Sequence, residues 1–130
     1  QPSPMGRPVS AQTARLVRDM LVQTVQYGTP DAQVPGYTIA GNTGTAQIPI
    51  PGGYEQDKSI VTFAGFLPAD NPQVSILIKL DRPQEYWGSV VAAPIFAHLV
   101  ERLVILLEIP PDSVRQQLAS QGGMLEAVDR

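Results

Sequence analysis

Two runs rich in β-branched and aromatic residues, Ile60-Val61-Thr62-Phe63-Ala64-Gly65-Phe66-Leu67 and Val74-Ser75-Ile76-Leu77-Ile78-Lys79-Leu80, constrain this chain more than any other feature. Both read as strands. Between them, Pro68-Ala69-Asp70-Asn71-Pro72 is a turn by composition, so the two runs pair as an antiparallel hairpin. The second run is apolar enough that both its faces are expected to be covered in the complete structure.

A further strand precedes the hairpin, over Tyr37 to Ile48. Its centre, Ala40-Gly41-Asn42-Thr43-Gly44-Thr45-Ala46-Gln47, is thinned by two glycines and loaded with hydroxyls, so an extended ligand can approach its backbone closely. The prolines of Ile48-Pro49-Ile50-Pro51-Gly52-Gly53-Tyr54 remove ladder donors, which predicts that the strand stops at Ile48 and that a mobile loop runs through Lys58. Upstream, Gln1 to Val9 is Pro-rich and expected to be extended. Ser10 is placed to cap a helix that ends near Gly28, and Leu16, Val17, Met20, Leu21, Thr24 and Val25 recur at helical spacing as its expected core face. Thr29 to Gly36 reads as a loop. After the hairpin comes a polar and aromatic stretch, Asp81 to Gly88, in which Trp87 reads as an aromatic lid over the sheet end. Ser89 is placed to cap a long helix with an apolar face of Val91, Ile95, Phe96, Leu99, Val100, Leu103, Val104 and Leu107. Ile109-Pro110-Pro111 stops that helix. Asp112 is placed to cap a short final helix through Leu118, and Gly122-Gly123 leads into a tail expected to be loosely held. The fold class is α/β: an N-terminal helix, a three-stranded antiparallel sheet and a long C-terminal helix, with 1–109 as the main unit and 110–130 as a short helix and tail.

At 130 residues with 43% hydrophobic content, one domain with one modest core is expected. A net charge of -3 without any basic cluster excludes a protein that neutralises nucleic-acid phosphates. With no cysteine and one histidine, thiolate chemistry, disulfides and a histidine-based metal cluster are excluded, and no metal or cofactor is expected. No apolar run is read as reaching the roughly 20 residues of a membrane span. The chain is expected to be soluble as given, and its start at Gln1 reads as a piece of something longer or a product without its leader.

Single residues carry little chemistry. His98 has no carboxylate or nucleophile at a motif spacing and reads as a surface residue of the long helix. Asp70-Asn71 is turn chemistry rather than a metal site, and Gly52-Gly53 is too short for a phosphate loop. The ordered set is more specific. Thr43-Gly44-Thr45-Ala46-Gln47 after Ala40-Gly41, then Phe63-Ala64-Gly65-Phe66-Leu67-Pro68-Ala69-Asp70-Asn71-Pro72, then Ala92-Ala93-Pro94-Ile95-Phe96, resembles the C-terminal part of penicillin-binding protein transpeptidase domains of the class B, cell-division and elongation type. The likeness runs from about Ser10 to Leu107.

That resemblance implies a partial β-lactamase/transpeptidase-like fold in a chain whose parent acts on peptidoglycan at the extracytoplasmic face of the bacterial cell membrane. In the family the strand carries a Lys-Thr-Gly motif along one wall of the active-site cleft. A peptidoglycan stem peptide, or a β-lactam imitating it, lies against this strand as an added strand would. It implies Asn42, Thr43, Gly44 and Thr45 as substrate-binding positions, with the two threonines on the terminal carboxylate and the Thr45 N–H as an oxyanion-hole donor. Asn42 stands where the family has lysine, and neither a Ser-x-x-Lys nor a Ser-x-Asn pattern occurs in the chain; the nearest string, Ser75-Ile76-Leu77-Ile78-Lys79, has the wrong spacing. The expectation is a fragment of a serine-type D-Ala-D-Ala transpeptidase, inactive by itself, or a non-catalytic interaction module of the same fold. In the family the third strand pairs on its far side with the remainder of the transpeptidase domain. Here Val74 to Leu80 is expected to present an open edge, and copies of the chain are expected to associate through it or through apolar helix faces that have lost their cover.

Overall fold

The computed structural model describes residues 6–85 and 87–128, with side chains as far as 121. The core is an antiparallel meander of three strands in the order β1-β2-β3, with β1 Ala40–Ile50, β2 Gly53–Leu67 and β3 Val74–Asp81. Helix α1 (Ala11–Gln23) precedes the sheet, α2 (Gly88–Leu106) packs across it, and α3 (Asp112–Val128) follows. The register pairs Ala40 with Phe66 and Thr45 with Val61 on one side of β2, and Phe63 with Ile78 on the other. The expected hairpin of β2 and β3 and the edge position of β1 are both present.

The first strand outruns its expected stop. It continues through Pro49 to Ile50, and β2 begins at Gly53 rather than Ile60. The expected mobile loop is instead a second hairpin, closed by Pro51 and by Gly52 at a φ of 85°. A proline does not end this strand because β1 lies at the sheet edge and the register shifts between Gln47 and Pro49, the two settings in which a missing ladder donor is tolerated. Glu55 on the extension reaches Arg82, just past β3, through bonds of 3.0 Å to Nε and 2.8 Å to Nη2. That guanidinium holds the Glu55 carboxyl below its usual range.

Ser10 caps α1 as its sequence requires: its Oγ accepts the Thr13 N–H at 3.0 Å. The helix passes into a π-helical turn over Thr24–Gly28, where the Thr29 N–H reaches back to the Thr24 C=O. Its expected core face is not core. Leu16, Val17 and Met20 are exposed, and of that set only Val25 is buried. Helical periodicity identifies an apolar stripe but not whether anything covers it.

In α2 the expected Ser89 cap is absent: the helix starts at Gly88, with Trp87 at the N-cap and no side-chain cap bond. Trp87 is 62% exposed, which does not fit a lid; Tyr86 lies outside the described residues. The buried stripe is Ala92, Ala93, Phe96, Ala97, Val100 and Val104, while Ile95, Leu99 and Leu107 of the expected face are exposed. Small alanines bring the helix close enough for Phe96 to reach the sheet, which bulkier neighbours at those positions would prevent. Phe96 and Phe63 pack with ring centroids 4.6 Å apart and planes tilted by 55°, and Leu67, Ile39 and Val25 join the same cluster. At 19 residues, α2 is also long and apolar enough to cross a membrane by length and composition, contrary to the expectation that no run is.

β3 packs one face only: Val74, Ile76, Ile78 and Leu80 are half-buried, whereas Ser75, Leu77, Lys79 and Asp81 are exposed. Helix α3 is not short. It runs through Gly122-Gly123, where a tail was expected, to Val128. Asp112 does not cap it but accepts the Thr38 N–H on Oδ2 at 2.7 Å.

Candidate functional site

Asn42, Thr43, Gly44 and Thr45 lie together on β1, whose outer edge has no partner strand among the described residues. Directly opposed residues of an antiparallel pair share a face, so Thr43 opposite Phe63 and Thr45 opposite Val61 stand on the face that α2 covers. Asn42, opposite Ala64, stands on the other. The Thr43 N–H is taken by the Asn42 Oδ1 at 2.9 Å, which places that N–H on the free edge. Backbone groups alternate along an antiparallel strand, so the Thr45 N–H points off the same edge.

Helix α2 meets the strand at this point. The Gly88 N–H donates to the Thr45 Oγ1 at 3.4 Å, so the threonine hydroxyl takes the place of the side-chain cap that Trp87 lacks. A hydroxyl accepts and donates at once. With an acceptor lone pair turned to Gly88, the Thr45 proton is left to point elsewhere. Thr62 completes the packing by donating from Oγ1 to the Gly44 C=O at 3.5 Å.

Two glycines permit the contact. A Cβ at Gly88 would lie 2.9 Å from the Thr62 C=O oxygen and 3.1 Å from that of Gly44, and a Cβ at Gly44 would lie 2.5 Å from Thr62 Oγ1. The close neighbour at Gly44 is thus the chain's own Thr62. Gly88→Ala forces the first turn of α2 away from two backbone oxygens that cannot rotate aside, and is expected to destabilise the fold by about 1–3 kcal/mol. A chemical-denaturation midpoint unchanged from the parent would refute this packing. Thr62 and Gly88 were not singled out in the sequence, where only the isolated glycine before an apolar helix hinted at a close approach.

The other singled-out residues lie apart. His98 Nδ1 pairs with the Pro94 C=O at 2.9 Å on the exposed side of α2. Asp70 sits in the β2–β3 turn and is gripped by Arg115, which holds its carboxyl below the usual range. Among the described residues no cluster of three or more His, Cys, Asp or Glu side chains could hold a metal ion.

The penicillin-binding protein transpeptidase domain model matches residues 1–101. The chain belongs to that family. It is 34% identical over 114 residues to the probable peptidoglycan D,D-transpeptidase PenA of Neisseria flavescens, an alignment covering 84% of this chain and 28% of the relative. Among solved structures, the apo transpeptidase domain of Burkholderia pseudomallei penicillin-binding protein 3 superposes with a TM-score of 0.76 at 35% identity, over 86% of this chain and 35% of that one. Penicillin-binding protein 3 of Mycobacterium tuberculosis complexed with ampicillin superposes with a TM-score of 0.69 at 40% identity, over 84% and 28% respectively. The chain therefore spans only about a quarter to a third of the length of these three proteins.

Proposed function

We propose that this chain supplies one wall of a peptidoglycan D,D-transpeptidase site, the strand on which a stem peptide or a β-lactam docks, and does not supply the nucleophile. The observation that carries the reading is the shared edge and face of Thr43 and Thr45: two hydroxyls and two outward N–H groups within one strand repeat. An extended peptide with a terminal carboxylate matches such an edge by adding as a strand and ending on the hydroxyls. In that role the Thr45 N–H is one oxyanion-hole donor and the Thr43 and Thr45 hydroxyls receive the carboxylate. Acylation needs an activated serine, and the chain holds neither Ser-x-x-Lys nor Ser-x-Asn. The parent protein works at the extracytoplasmic face of the cell membrane, and the remainder of the transpeptidase domain is the natural partner of the β3 edge.

Mass spectrometry of the isolated chain after incubation with a reporter β-lactam is expected to show no covalent adduct. A serine-linked adduct would sink the reading. The second reading, a non-catalytic interaction module of the same fold, is favoured by Asn42, an uncharged residue whose carbonyl already occupies the Thr43 N–H. Intact Ser-x-x-Lys and Ser-x-Asn elements elsewhere in the parent protein would discriminate against it.

A further inference from the structure

Three hydrogen bonds join the segment just ahead of β1 to the junction between α2 and α3. The Asp112 N–H donates to the Gly36 C=O at 2.9 Å, the Tyr37 hydroxyl donates to the Ile109 C=O at 2.8 Å, and the Thr38 N–H donates to Asp112 Oδ2 at 2.7 Å. The remaining backbone group of Thr38 is held as well, its C=O accepting the Ala69 N–H at 2.8 Å. Asp112 Oδ1 accepts from Arg115 Nη2 at 2.7 Å, and the same guanidinium grips both oxygens of Asp70, Nη1 at 3.2 Å and Nη2 at 2.7 Å. Asp70 follows Ala69 in the chain. The contacts therefore close a ring from Thr38 through Asp112, Arg115, Asp70 and Ala69 back to Thr38.

The ring is unlike the other ion pairs of the molecule. The Arg115 and Asp112 side chains are 16% and 17% exposed and that of Asp70 is 59% exposed, whereas those of Arg82 and Glu55 are 45% and 31% exposed. Arg115 thus makes one partly desolvated bond, to Asp112, and a two-bond fork to the more exposed Asp70; the first gains from desolvation and the second from its geometry, while an open single-bond surface pair contributes little. Among the described residues Arg115 Nε is buried and makes no hydrogen bond. The location also matters. Among the described residues β1 has a partner strand on one side only; Ile39 and Ala40 are buried at its start, and the bonds to Thr38 add a hydrogen-bonded anchor there.

We infer that Asp112 and Arg115 are positioning residues for the candidate ligand strand: α3 clasps the start of β1 to the β2–β3 turn and thereby fixes the edge that Thr43 and Thr45 present. Helix α3 lies beyond the residues that the family model matches. Its importance for ligand docking rests on the function proposed above; its mechanical role does not.

Residue-resolved hydrogen exchange on the 130-residue chain tests the clasp. In Arg115→Met the amides of Thr38 and of Asn42, Gly44 and Ala46, which face β2 because those of Thr43 and Thr45 face outward, are expected to exchange about tenfold faster while those shared by β2 and β3 keep their protection, because only the anchor of one edge strand is removed. Arg115→Lys, which keeps a cation between the two carboxylates, is expected to restore part of that protection. Asp70→Asn weakens only the outer half of the ring and keeps the test available if the methionine variant fails to fold; it is expected to accelerate the same amides by a smaller factor. A parallel arm adds a D-alanyl-D-alanine peptide to the unmodified chain. Failure of the Thr43 and Thr45 amides to gain protection there would count against the ligand-strand reading and leave the clasp standing. Exchange in β1 that is indifferent to Arg115→Met and Asp70→Asn, or that rises equally throughout the sheet, would overturn the clasp whether or not the peptide binds.

Discussion

Phe96→Ala is expected to lower the stability of the chain by about 3–5 kcal/mol, the range for removing a fully buried aromatic side chain and leaving a cavity. Phe96 is fully buried, packs on Phe63 with centroids 4.6 Å apart, and is the one large side chain in an otherwise alanine-rich contact stripe of α2. The alanines cannot fill the vacated space, because their side chains end at Cβ and the helix already lies close to the sheet. Collapse of α2 onto the sheet is blocked as well, since Gly88 already stands against the carbonyls of Thr62 and Gly44. A domain of this size holds about 5–15 kcal/mol in total, so the loss is a large fraction of its stability. Urea denaturation followed by circular dichroism measures the loss, with Ile105→Ala as the control. Ile105 is 78% exposed on the same helix and its truncation is expected to change stability by less than about 0.5 kcal/mol. A loss under about 1 kcal/mol for Phe96→Ala would mean that α2 is not the principal cover of the sheet.

That contact shows what the sequence could disclose about the fold and what it could not. The hairpin of β2 and β3 was legible because β-branched runs and a Pro-Ala-Asp-Asn-Pro turn are local signals. The Ser10 cap was legible for the same reason. The extended β1–β2 hairpin was not: whether a proline ends a strand depends on whether that strand lies at an edge, and an edge is a property of the assembled sheet. The faces of both helices were misjudged in the same way. Periodicity marked Leu16, Val17 and Met20 as core although they stand exposed among the described residues, and it favoured Ile95 and Leu99 over Ala92 and Ala93 although the alanines are what let α2 approach. Size complementarity across an interface is a pairwise quantity, and a hydropathy pattern reads one side of it.

The candidate strand was legible as a run of types, Gly and Thr alternating in an otherwise extended segment. Its supports were not. Thr62 reaches Gly44 from the neighbouring strand and Gly88 reaches Thr45 from a helix 43 residues on. Arg115 and Asp112, the residues that anchor the start of β1, lie 45 residues beyond Asp70 and 74 beyond Thr38. Contacts of that separation leave no trace in spacing. Asp112 was noticed for its helix-capping residue type, and its carboxylate serves a different backbone N–H, on a different element.

Asn42→Lys in the full-length parent is expected to raise the rate of β-lactam acylation by about 10²–10⁴-fold, the scale of a correctly placed proton-transfer group. Two effects act in the same direction. An asparagine amide has no charge and no transferable proton, whereas an ammonium supplies both to the carboxylate-receiving site proposed above. The second effect is visible in the fold: the Asn42 carbonyl holds the Thr43 N–H at 2.9 Å and so occupies a donor on the edge where an extended ligand would pair. Lysine has no acceptor and releases that donor. Asn42→Ala separates the two, since it frees the N–H without adding a cation; it is expected to tighten non-covalent peptide binding while leaving acylation low. If lysine gives no gain in a parent that carries an intact Ser-x-x-Lys element, position 42 does not limit the chemistry. A gain from alanine equal to that from lysine would locate the limitation in the blocked edge instead of the missing charge.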